Sequence, residues 1–143
     1  MKMLTTPKAK YLLEGGLEVL HSQSIEWLSE IEFWRDETAF LYAYILKKGT
    51  HSIPSRAKDI MHKIEKELIR LRGEELNELQ EIVEKHEVYL GKIIEFSDED
   101  EESYRDKHRT LTFKFHQLES RIKSLKKEVY NLTKMIHENE LVE

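Results

Sequence analysis

Carboxylates and imidazoles are the groups in this chain that could bind a metal or move a proton, since it has seven histidines and no cysteine. Glu30 and Glu37 are one heptad apart and share a helix face, and Glu26 precedes them by a turn. A di-iron carboxylate bundle needs a Glu from each of two helices and a Glu-x-x-His pair from each of two others. The chain has one such pair, Glu18 and His21, while the long helices offer Asp59 and His62 instead. The pattern is not met, and a solvated acidic face is the plainer reading of these glutamates. A second metal set is Glu30, Glu37, His62 and His137. If the second and third helices form a hairpin, His62 and His137 lie level, with Glu37 about one turn away. Ordinary surface histidines near a bundle end account for the same residues, so no cofactor is expected.

Other chemistry has less support. His86 is followed by Glu87 and Val88, and His62 by Lys63 with no glycine after it, so neither fits a phosphotransfer histidine. There is no glycine-rich phosphate loop, no Gly-x-Ser-x-Gly elbow and no His-Glu-x-x-His motif. Polar residues are spread along faces and do not gather at a cleft, so the chain is read as non-catalytic.

The elements that must carry these side chains are helices. Leu111, Leu118, Leu125 and Leu132 fall at heptad steps, and Phe115, Ile122, Val129 and Ile136 each follow one of them by four residues. This seam begins at Tyr104 and His108 and ends at Asn139. A second stripe holds Met61, Ile64, Leu68, Leu71, Glu75, Leu79, Ile82, His86, Tyr89, Ile93 and Phe96. Two steps of four meet at Glu75, beside Gly73. Such a stutter unwinds a supercoil locally and makes a kink or irregularity plausible there.

The expected fold class is all-α: an up-down-up three-helix bundle, with the second and third helices in a long antiparallel coiled-coil hairpin, completed by dimerisation. Its parts are an N-terminal segment over residues 1–23 and helices over 24–48, 54–96 and 98–140, in one domain. Thr6-Pro7 could start a short helix that Gly15-Gly16 ends. Ser22 or Ser24 serves as N-cap of the first long helix; Lys47, Lys48 and Gly49 suit its end. Pro54 suits the start of the second, and Ser97 or Asp98 caps the third.

Charged residues make up 36% of the chain, with only five glycines and two prolines, which favours long helices and short connections. A net charge of −5 argues against nucleic acid as a partner, because phosphate neutralisation needs a basic face. The basic patch at Lys123, Lys126, Lys127 and Lys134 is read as balancing the acidic first helix. No signal-like apolar region and no membrane-length apolar run is seen, so a cytoplasmic protein without a membrane partner is expected. A basic-zipper reading of the leucines fails because the preceding residues 97–103 are acidic. Across the seam Lys114 attracts Glu119, but Arg121 repels Lys126.

The first helix carries two apolar faces. One holds Trp27, Leu28, Ile31, Trp34, Thr38, Leu41 and Ile45; the other holds Phe33, Phe40 and Tyr44. A helix apolar on two sides is buried on two sides. The expected interface therefore comprises Phe33, Phe40, Tyr44, Trp27 and Trp34, and the expected partner is a second copy or another protein. Two other outcomes are a metal-binding bundle and a ligand pocket lined by Trp27, Trp34, Phe33 and Phe40. Glu75, His86 and His108, polar groups on the seams, could set register, and a buried His86 could make assembly respond to pH.

Overall fold

A computed structural model describes residues 16–49, 53–96 and 101–142. All the regular structure among them is helical, in three long helices. The first is α1 (Glu18–Lys48). The second is α2 (Ser55–Arg70), which passes through a π turn at Leu71–Glu75 into α3 (Leu76–Phe96) without leaving helical backbone angles. The third is α4 (Glu101–Val142). No helix among the described residues is long and apolar enough to cross a membrane. The expected helix at Thr6-Pro7 and the caps Ser97 and Asp98 lie outside the described residues.

The start of α1 differs from the sequence expectation. The helix begins at Glu18, so Ser22 and Ser24 are inside it and cap nothing. Gly16, at φ 111°, occupies the left-handed region where a side chain is strained, and it turns the chain into the helix. Early entry also buries Leu17. At the other end the Gly49 N–H donates to the Ile45 carbonyl at 2.9 Å, and Lys47 and Lys48 lie in the last turn, where the dipole favours cations. Pro54 is the N-cap residue of α2, at φ −59° and ψ 149°.

The irregularity expected near Glu75 is the π turn. There the Leu76 N–H donates to the Leu71 carbonyl, five residues back. One extra residue per turn rotates everything downstream by about 100°. Before the turn the stripe holds as expected, with Met61, Ile64, Leu68 and Leu71 buried. After it the buried residues are Leu76, Leu79, Val83, Leu90, Ile93 and Ile94, so Val83 and Leu90 take the places expected for Ile82 and Tyr89. Ile82 is exposed and Tyr89 half-buried. A π turn leaves a carbonyl without its usual partner, and the Asn77 side-chain amide donates to the Gly73 carbonyl at 3.1 Å.

The chain divides into two compact units, each drawing on all three helices. One comprises Met1–Glu32 and Glu78–His116. Its core cluster is Leu17, Leu90, Ile93, Ile94 and Tyr104, with Leu20 and Tyr89 packed against it. The other comprises Phe33–Asn77 and Gln117–Glu143. Its core is the α4 seam of Leu118, Ile122, Leu125, Val129, Leu132 and Ile136, together with Trp34, Leu41 and Ile45 of α1 and the α2 stripe. Burial of each such side chain contributes about 1.5–3 kcal/mol.

Within the second unit the charges that looked mismatched along α4 find partners on other helices. Arg121 makes a two-pronged contact with Glu75 (2.7 and 2.9 Å) and reaches Glu67 at 3.2 Å. Hydrogen bonding from Arg121 holds the Glu75 carboxyl below its usual range. Lys126 pairs with Glu37 at 2.8 Å.

Candidate functional site

Two features stand out: an aromatic face on α1 and a buried polar network in the first unit. The α1 face is in the second unit. Phe33 is 57% and Phe40 68% exposed, while Ile31, Trp34, Thr38, Leu41 and Ile45 of the same helix are buried. Phe40 stacks on Tyr44 with ring centroids 6.3 Å apart, and the Lys48 ammonium lies 5.6 Å from the Tyr44 ring. Thr38 stays on the apolar side because its hydroxyl donates to the Trp34 carbonyl at 2.7 Å.

Two residues expected at the interface lie elsewhere. Trp34 is in the core, only 3% exposed. Trp27 is half-buried and stacks on His108 (4.5 Å) and Phe115 (4.8 Å). The heptad pattern placed both on the main apolar face, and that face points inward. Trp34 is buried while Phe33 and Phe40 are exposed, so these three rings of the second unit do not share one face of α1.

The metal candidates are not gathered either. Glu37 is engaged with Lys126, and His62 is exposed and faces Glu65 at 3.5 Å. Glu30 and His137 are exposed. Among the described residues no group of three or more His, Asp or Glu could hold a metal ion.

The polar network joins α1, α3 and α4. The π turn creates it: once the buried face has rotated, Glu87 falls in line with Val83, Leu90 and Ile94 and is wholly buried. Its Oε2 lies 2.7 Å from His21 Nδ1. Ser24 and Tyr104 are also fully buried, and the Ser24 hydroxyl lies beside both the Glu87 carboxyl and the Tyr104 phenol. Even so, Ser24 Oγ, Glu87 Oε1 and Tyr104 OH make no hydrogen bond of good geometry. Burial pushes the Glu87 carboxyl up, against the downward pull of His21 and Ser24. Burial and the Glu87 charge push the Tyr104 phenol up as well.

A second branch runs through the histidines. His86 stacks on Tyr104 at 4.2 Å, nearly parallel. His86 Nε2 is 3.0 Å from His108 Nδ1, and His108 Nε2 is 2.8 Å from Gln23 Oε1. With Gln23 Oε1 accepting, His108 donates from Nε2, and His86 Nε2–H donates to His108 Nδ1. Burial brings both imidazoles down to about 4; for His86 the His108 and Lys107 charges add to it, and for His108 the Arg105 charge. Both are neutral at pH 7, which suits a one-donor, one-acceptor chain.

Sequence reasoning found His86 and His108 as seam residues but missed Glu87, Ser24 and Gln23. Glu87 is off the stripe unless the π turn is known. Ser24 lies three, four and seven residues before Trp27, Leu28 and Ile31, on the main α1 face, but the cap reading took it out of the helix that starts at Glu18. Comparison with protein families, curated proteins and solved structures gave no match.

Proposed function

We propose that the protein is a non-catalytic helical interaction module that self-associates through the aromatic face of α1 and also binds partner proteins. In this reading the chain is an up-down-up bundle with an antiparallel hairpin, it works in the cytoplasm, and two copies complete a larger bundle. The observation that carries the reading is the exposed pair Phe33 and Phe40, one heptad apart on a face of α1 about 120° around the helix from its core residues. Single exposed apolar residues need no explanation, but an ordered aromatic stripe does.

The stripe fits a second copy of itself. A two-fold interface must be self-complementary. An antiparallel α1 pair centred between Phe33 and Phe40 sets each Phe33 opposite Phe40 of the second copy. The same register brings Lys47 level with Glu26 of the second copy, so opposite charges border the aromatic centre. The reading is tested by Phe33→Glu combined with Phe40→Glu. The expected result is a monomer with unchanged helicity by circular dichroism. A dimer that survives both changes contradicts the placement of the interface. Lys47→Glu alone should weaken the dimer, and adding Glu26→Lys should restore it.

A further inference from the structure

A pocket of about 360 Å³ lies between α3 and α4 in the first unit. Its size is in the range of small-molecule sites. Ile82, Tyr89 and Leu111 supply its apolar lining. Ile82 is there because of the π turn, which moved Val83 into the core and left Ile82 outside. Three lysines, Lys85, Lys107 and Lys114, are among its lining residues, and no Asp or Glu is. Lys107 is held over the Tyr89 ring at 4.6 Å. Lys85 has only an exposed contact to Glu81 at 3.7 Å, which solvent screens. Thr110 adds a hydroxyl, and the wall nearest the core is His86.

We infer that this pocket binds an amphipathic organic anion, a molecule with an apolar body and a single anionic head. The body fits against Ile82, Tyr89 and Leu111, and the head lies among the three lysines. In a chain of net charge −5, three cations around an apolar recess with no acid in its lining form a local reversal of sign. Apolar contact alone accepts any oily molecule; the cations select the anion. The site does not depend on self-association through α1, so either idea can fail without the other.

The test is calorimetric titration of the full chain with decanoate below its micelle concentration, with decanol and inorganic phosphate as comparators. The expected result is one decanoate per chain, with much weaker binding of both comparators. Lys107→Glu with Lys114→Glu should weaken decanoate at least about tenfold, since it reverses two charges beside the head. Circular dichroism checks that this variant folds, and Lys107→Gln with Lys114→Gln should show an intermediate loss. Equal binding of decanol, or equal binding by the lysine variants, would overturn the inference. So would a heat that tracks a change in mass, which would point to a second copy as the occupant.

Discussion

His86 and His108, from two different helices, meet at 3.0 Å through Nε2 and Nδ1, and both are almost fully buried. One proton occupies the contact. A second would leave two donors facing each other in a buried contact.

Stability should therefore fall on mild acidification. Both imidazoles have folded values near 4, below their ordinary 6.5. Between those limits the unfolded chain binds more protons than the folded one, so stability drops as the pH goes from about 6.5 towards 4. Glu87 acts in the opposite direction: its raised value means that the folded state is relieved by protonation. Each imidazole contributes a loss on the order of 2 kcal/mol by pH 4.5, and the raised Glu87 carboxyl offsets part of it. Urea denaturation followed by tryptophan fluorescence measures it. A midpoint that does not move between pH 7 and pH 4.5 would contradict the buried, neutral assignment.

Glu87→Gln isolates the other branch. Gln keeps an acceptor 2.7 Å from His21 Nδ1 and removes the cost of burying a charge. The variant should be as stable as the parent at pH 7, or more stable by about 1 kcal/mol. A loss above about 2 kcal/mol would show that the His21–Glu87 contact works as a charged pair.

Gly73 tests the π turn. A methyl group added there meets nothing within 4 Å, and the residue has no positive φ. Gly73→Ala should stabilise the chain by about 0.5–1 kcal/mol through helix propensity. A lower thermal midpoint would mean that the turn needs glycine after all.

The helices and much of the core were legible in the sequence because heptad spacing records burial directly. Leu68 on α2, Leu71 at the start of the π turn, and Leu111 to Ile136 on α4 are buried as their spacing requires. The stutter at Glu75 was legible too, but its form was not. A π turn and a smooth unwinding leave the same residue spacing upstream, and only the first moves Val83 and Leu90 inward. That one-residue rotation also explains why Glu87 was missed. The exposed face of Phe33 and Phe40 was readable as a second stripe. The inward direction of Trp34 was not separable from an interface by pattern alone, since core and interface ask for the same residues.

The mass in solution tests the central claim most directly. Light scattering behind size exclusion should give twice the chain mass of 17.2 kDa for the parent and the chain mass itself for Phe33→Glu with Phe40→Glu. A parent that runs at 17.2 kDa across the accessible concentration range would contradict self-association through α1.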